Sequence, residues 1–240
     1  KCDGLRRFWN RHTRLSQQQI DQQLAAISQA RPLTQDPAVV EASALMVQAV
    51  VAQLLPLLEA IEQFDRQIGE IFRRHPDRLL FESLPGAGAV MAPRLLAAFG
   101  TDRGRWQTAV EIQQLSGIAP VTEQSGQGRW VHWRLGCPKF LRQSFHEFAD
   151  HSSKWCTWAK AYYRKQRARG KKHQAAVRAL AYKWIRILFR CWKERQPYNE
   201  NLYLDSLARR RSSLVGDIAR LMVEQPTRTR RHQPAAVEIP

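Results

Sequence analysis

The sequence predicts a mainly α-helical chain: a long, coiled-coil-like helical hairpin, then a helical domain containing a helix-hairpin-helix and one short β-hairpin. Three patterns predict it. Val40, Ala44, Val47, Val51, Leu54, Leu58, Ile61, Asp65, Ile68 and Phe72 recur at alternating steps of four and three. Such spacing draws one apolar seam along a helix, here with a single polar interruption at Asp65. Ala176, Val177, Leu180, Ala181, Trp184, Leu188 and Trp192 draw a second stripe in a helix over 173–194, and Arg178, Lys183, Arg186 and Arg190 fall outside it. Residues 129–135 alternate instead, with Trp130, His132 and Arg134 on one side and Val131 and Trp133 on the other, the period of a strand.

Taken in order, residues 1–77 form the helical arm. Its first half, about 5–28, has a weaker amphipathic face of Leu5, Phe8, His12, Leu15, Ile20, Leu24 and Ile27. Residues 30–37 are a turn in which Asp36 caps and Pro37 opens the second helix. Pro56 lies off the seam and is expected to bend that helix. The hairpin is either held by its own packing alone or serves to dimerise or space the chain. Residues 78–208 form the compact domain, and 209–240 a basic, largely disordered tail in which only 214–223 is suited to a short helix.

Composition narrows the partners. The 240 residues carry 38 Lys and Arg against 21 Asp and Glu, a net charge of +17. An excess that large favours a polyanion, whose counterions are released as phosphates are neutralised. No stretch approaches about 20 uninterrupted apolar residues; the region around 38–58 is broken by Glu41, Gln48, Gln53 and Pro56. No membrane partner is expected. The chain opens on Lys1 without a signal-peptide pattern, so a preceding N-terminal portion is expected. Cys2, Cys137, Cys156 and Cys191 are far apart and form no zinc-ligand spacing. Reduced thiols and no metal ligands are the expectation.

Three segments carry candidate chemistry. In 84–96, Gly86 and Gly88 permit a tight turn that approaches a phosphate. The following helix offers its first amides there, and Arg94 lies on it. Pro93 is expected in that helix's first turn, where no intrahelical donor is needed. Next, Ser125-Gly126-Gln127-Gly128 forms the bend of a short hairpin with Ser125 at its tip; by spacing alone that serine is a turn former. Third, Pro138 opens a helix whose Lys139, Arg142 and His146 share a side, with Leu141, Phe145 and Phe148 on another. Arg129, Arg134, Lys139 and Arg142 thus cluster in sequence near Ser125, as cations that hold a phosphodiester would, unless they form a solvated basic face. Trp155, Trp158, Tyr162 and Tyr163 recur near helical spacing and are assigned to the core ahead of the basic run 164–172.

The ordered set of motifs resembles the C-terminal transposase domain of the insertion-sequence 110 family, the bridge-RNA-guided serine recombinases. Its pieces are the 84–96 turn, Gly117-Ile118-Ala119-Pro120, Gln124-Ser125-Gly126, the segment 134–142, and Ala161-Tyr162-Tyr163 leading to Arg169-Gly170-Lys171. The resemblance covers about residues 1–205. It implies that Ser125 is the nucleophile and that a structured guide RNA selects the DNA. It also implies that a RuvC-like domain, absent here, binds Mg2+ through four acidic residues. No cofactor is then bound by these 240 residues, and alone they are expected to be inactive. DNA, a guide RNA, a homo-oligomeric partner and a cytoplasmic, nucleoid-associated location in a prokaryote follow as expectations. The alternatives are a non-catalytic basic nucleic-acid-binding module and a helix-hairpin-helix glycosylase using Asp102, in which the Ser-Gly segment has no place.

Overall fold

A polar cap divides the first arm where apolar spacing alone suggests one continuous face. The hydroxyl of Ser16 accepts from the Gln19 amide at 3.3 Å, and the Gln19 side chain accepts from the Ser16 amide at 2.9 Å. This capping box starts a new helix. Two helices therefore stand there, α1 (Cys2–His12) and α2 (Gln17–Gln29). They are tied by Arg6 to Asp21 at 2.8 Å and Gln17 to Asn10 at 2.6 Å. Ile20 and Leu24 are buried; Leu5, Phe8 and Ile27 are exposed.

The computed structural model describes residues 2–13, 15–31 and 33–224, with eleven helices and one two-stranded antiparallel sheet among them. The mainly helical class with a short β-hairpin is what the chain adopts. It falls into two units, residues 1–62 and 63–240. α3 (Pro37–Arg74) runs through both in sequence and passes unbroken through Pro56. The Asp36 carboxylate accepts from the Ala38 amide at 3.0 Å, so the expected cap is present. Of the seam, only Phe72 is buried; Val40, Val47, Val51, Leu54, Leu58, Ile61 and Ile68 are exposed. α3 also corrects the expectation that no stretch is apolar enough to span a bilayer. It holds an 18-residue window of mean hydropathy 1.8, long and apolar enough by length and composition. Its few polar residues dilute the average less than they interrupt the run.

The second unit is built round one helix. Its elements are α4 (Arg78–Glu82), α5 (Gly88–Phe99), α6 (Ala109–Leu115), β1 (Val121–Ser125) and β2 (Gly128–His132). Then come α7 (Lys139–Trp155), α8 (Thr157–Ala168), α9 (His173–Glu194), α10 (Glu200–Arg209) and α11 (Leu214–Glu224). Every residue of the stripe expected in α9 is buried. Trp184 is at the centre: its ring lies 4.7 Å from Trp158, 5.0 Å from Phe148 and 5.3 Å from Tyr198. Its indole N–H donates to Ser152 Oγ at 2.7 Å. Trp192 likewise donates to the Gly100 carbonyl at 2.7 Å. Both large rings are buried with their one polar group satisfied.

The core extends beyond the boundary expected at 208. Leu214, Ile218 and Leu221 of α11, at steps of four and three, are buried in the same cluster. Lys165 of α8 holds Asp217 at 2.7 Å. The tail expected over 227–240 lies outside the described residues. Pro93 is the sixth residue of α5, not in its first turn. Its ring is buried in the core, and that packing offsets the hydrogen bond to Ala89 that a proline cannot make.

One ion pair is enclosed. Arg103 donates to Asp77 at 2.7 Å, with side-chain exposures of 16% and 11%, and its guanidinium lies 4.7 Å from the Trp192 ring. Removing one partner leaves the other charge buried and unpaired, a loss of about 3–5 kcal/mol. Asp77→Ala is therefore expected to lower the urea midpoint markedly. The double variant Asp77→Ala/Arg103→Met is expected to recover part of the loss; equal stability of Asp77→Ala and the parent protein would refute this assignment.

Candidate nucleic-acid interface

The β-hairpin pairs Ser125 with Gly128, Gln124 with Arg129, Glu123 with Trp130 and Val121 with His132. Gly126 has φ +55, and Gln127 is not among the residues of positive φ. That sign pattern is the type II′ turn, whose first central position calls for glycine. Ser125 is the last residue of β1, beside the turn and exposed. Both strands are exposed beyond Val121. Alternation then fixes which side chains share the serine's face: Glu123 from its own strand and Trp130 and His132 across the ladder. The Trp130 ring reaches over Gly128, 3.3 Å from where a Cβ would stand. Glu123 and His132 pair with each other at 3.3 Å. His132 stands opposite Val121, four residues and about 13 Å of strand from Ser125.

The candidate cations divide. Arg129 is next to the tip but opposite Gln124, on the other face from Ser125. Arg134 and Lys139 are exposed beyond the base of the hairpin. Arg142 turns to that base: its guanidinium donates to the carbonyl of Arg134 and, at 3.2 Å, to that of Leu135. The strand ends at His132, and the carbonyls just beyond it, of Arg134 and Leu135, accept from Arg142. Gly117, φ +67, sits against this guanidinium and the Cys137 sulfur; a Cβ there would come within 2.8 Å of both. The Gly117-x-x-Pro120 segment thus abuts the hairpin's base. Two guanidiniums lie over the Trp133 ring, Arg178 at 3.5 Å and Arg142 at 5.7 Å from its centre. Sequence spacing gave no sign of Arg178, which it placed among the outward residues of α9.

The glycine turn is a separate region. Gly86 (φ +78) packs where a Cβ would stand 2.7 Å from Trp155, while Gly88 (φ +55) faces open space. α4 and α5 flank the turn. Ala87, at the N-cap of α5, has no side chain to take the first free amides. Trp155 is 74% exposed beside it, a correction to its assignment to the core. The reason is local: Cys156 is extended (φ −123), so α7 ends at Trp155 and α8 begins after it. Trp155 and Trp158 belong to two helices and share no face. Trp158 is buried. Arg94 is held by Glu147 at 2.5 Å. Burial alone would raise the Glu147 carboxyl, but hydrogen bonds from Gln143 and Arg94 outweigh it and lower its pKa.

Other reactive groups are quiet. Burial pushes the Cys156 thiol well up and Cys191 up to about 11, so neither is a thiolate at neutral pH. Burial lowers His146, whose Nε2 lies 3.3 Å from the Gln174 carbonyl. Among the described residues no three His, Cys, Asp or Glu side chains come together as a metal site.

Comparison with known proteins places the hairpin and the glycine turn inside one matched span. Residues 78–164 match the family described as transposase IS116/IS110/IS902 family. The chain is 30% identical to the "Mini-circle putative transposase for IS117" of Streptomyces coelicolor, over 75% of this chain and 43% of that protein. It is 29% identical to the insertion element IS900 uncharacterized 42 kDa protein of Mycobacterium paratuberculosis, over 65% and 40%. The insertion element IS110 uncharacterized 43.6 kDa protein of S. coelicolor is 28% identical, over 66% and 39%. The chain thus spans about two fifths of the length of the curated relatives it matches. Ser125, Gly117 and the glycine turn all fall within the matched residues 78–164.

Proposed function

We propose that this chain is the C-terminal, nucleic-acid-engaging part of a DNA transposase that cuts and rejoins DNA through Ser125, guided by a structured RNA. What carries the reading is an exposed serine beside a glycine turn, inside a span that matches a transposase domain. Ser125 Oγ attacks a DNA phosphorus and loses its proton as the bond to the leaving deoxyribose oxygen breaks, and that oxygen takes up a proton. A DNA hydroxyl then attacks the phosphoserine ester, releases Ser125 and restores the phosphodiester, so no bond energy is lost to water. An alcohol needs a base or a metal for this. His132 is too far along the strand, so activation is assigned to a RuvC-like domain and its Mg2+, outside this chain. These 240 residues alone are inactive on that account.

Gly86 and Gly88 with the free amides of α5 hold a phosphate as a helix-hairpin-helix does, and Arg94, Arg129, Arg134, Lys139 and Arg142 add positive potential. Arg94 and Arg142 act less directly, because Glu147 and the backbone carbonyls already occupy them. The exposed seam of α3 serves a coiled-coil contact in a homo-oligomer. Glu41, Gln48 and Gln53 within its apolar region favour a protein partner over lipid, and with it a cytoplasmic location.

A second reading, a non-catalytic basic nucleic-acid-binding module, has one observation in its favour: Arg129 faces away from Ser125 and the other cations gather elsewhere. Peptide mapping separates the two. The full-length protein is incubated with its guide RNA, Mg2+ and nicked substrate DNA, then denatured and digested. A nucleotide adduct on the peptide containing Ser125 is expected. Binding without an adduct, while recombination proceeds, leaves the module.

A further inference from the structure

The hairpin's base gathers two guanidiniums at one indole, and the fold uses only one of them for hydrogen bonds among the described residues. Arg142 and Arg178 converge on one Trp133 ring, both inside the reach of about 6 Å for a cation–π contact. Arg142 is committed, its guanidinium donating to two backbone carbonyls. Arg178 differs. It is half-buried in α9, its guanidinium carbon lies 3.5 Å from the ring centre, and among the described residues no carboxylate pairs with it. A guanidinium stacked flat keeps its N–H edge free for an acceptor in the plane.

Physics makes the arrangement unfavourable without a ligand. Burial, and then the charge of Arg142, bring the Arg178 pKa down to about 10. Folding thus pushes two like charges together around one indole without a counter-charge. An anion resting on the open edge of Arg178 removes that repulsion, and Arg134 and Lys139, both exposed nearby in sequence, add long-range attraction.

We propose that Arg178, stacked on Trp133 and backed by Arg142, is a binding site for a nucleic-acid phosphodiester. The class follows from the donor: a fork of parallel N–H groups on a fixed plane matches two phosphate oxygens. The indole edge beside it offers an apolar surface to the adjoining sugar. This inference rests on the nucleic-acid reading above and deepens it. It adds a strand contact at the base of the hairpin, against α7 and α9, to the one proposed at Ser125 beside the tip.

The test is a salt titration of the 240-residue chain with fluorescent 20-nucleotide probes: duplex DNA, single-stranded DNA and RNA of one sequence. Dissociation constants are compared for the parent chain, Arg178→Ala, Arg178→Lys and the exposed control Arg186→Ala. Loss of one phosphate contact lowers the slope of log K against log salt by about 0.9 for duplex or 0.7 for single strands. That loss is expected for Arg178→Ala, with about five- to tenfold weaker binding at low salt, and not for Arg186→Ala. Arg178→Lys is expected to keep the slope and recover most of the affinity. Should the alanine variant unfold, Arg178→Gln keeps a planar polar group on the ring and is read the same way. The probe whose slope falls identifies DNA or RNA as the source of the phosphate. Equal slopes for Arg178→Ala (or Gln), Arg186→Ala and the parent overturn the site while leaving the nucleic-acid reading intact. A parent chain that binds no probe overturns both.

Discussion

Ser125→Ala in the full-length protein is expected to abolish recombination, by about 10⁴-fold or more, while its affinity for DNA and RNA stays within about twofold. The split follows from the geometry. The hydroxyl is exposed beside a turn whose shape is fixed by Gly126, so alanine at 125 keeps the strand, the register and the surrounding charges. An exposed serine contributes little to stability or to a surface held by several cations. What alanine removes is the only atom at that position able to bond to phosphorus. Ser125→Cys supplies a second measure, since a thiol in the same place attacks phosphorus poorly yet fits the turn. It is expected to bind normally and recombine weakly. Recombination by Ser125→Ala within tenfold of the parent protein, in a gel assay of joined product, removes the nucleophile from the proposal.

The long elements were legible because period alone specifies them. The α9 stripe and the exit from α7 at an extended Cys156 show both sides of that rule. Seven apolar positions on one helix fall on one face whatever surrounds them. Trp155 and Trp158 obey the same spacing, but a single extended residue between them assigns one to solvent and the other to the core. Nothing in the side chain of Cys156 announces that break. The capping box at Ser16 was visible in principle, as a serine followed three residues later by glutamine. The apolar spacing across it masked the signal.

The site was legible as a list of residues and not as an arrangement. Proximity in sequence put Arg129 beside Ser125, but a two-residue period sends it to the opposite face once the turn type sets the register. Arg142 shares a helical side with Lys139 and His146, as spacing requires. Its long side chain then reaches back to carbonyls seven and eight residues earlier, a choice made by tertiary packing. Arg178 of α9 and Arg142 of α7 meet at the Trp133 ring because those two helices pack side by side. Contacts between residues so far apart leave no local pattern to read.

Trp184→Ala is expected to cost about 3–5 kcal/mol, a large share of the roughly 5–15 kcal/mol by which a domain is stable. The indole is fully buried among Trp158, Phe148 and Tyr198, all large and rigid rings. Side chains of that kind collapse poorly into a void, so the cavity penalty adds to the lost burial. The lost N–H is a smaller part. Ser152 Oγ still donates to the Ala149 carbonyl at 2.8 Å, so its hydroxyl is not orphaned. Trp184→Phe, which keeps an aromatic ring in the stack, is therefore expected to lose only about 1–2 kcal/mol. Urea unfolding followed by near-ultraviolet circular dichroism measures both, and a loss below about 1 kcal/mol for the alanine variant contradicts the packing argument. The consequence reaches the interface. Trp184 comes from α9, and its partners Phe148 and Ser152 come from α7. Those two helices also supply Arg178 and Arg142 to the Trp133 ring. Loosening their contact is expected to remove the salt-dependent term assigned to Arg178 before the domain unfolds globally, because the two guanidiniums share a ring only while α7 and α9 stay in register.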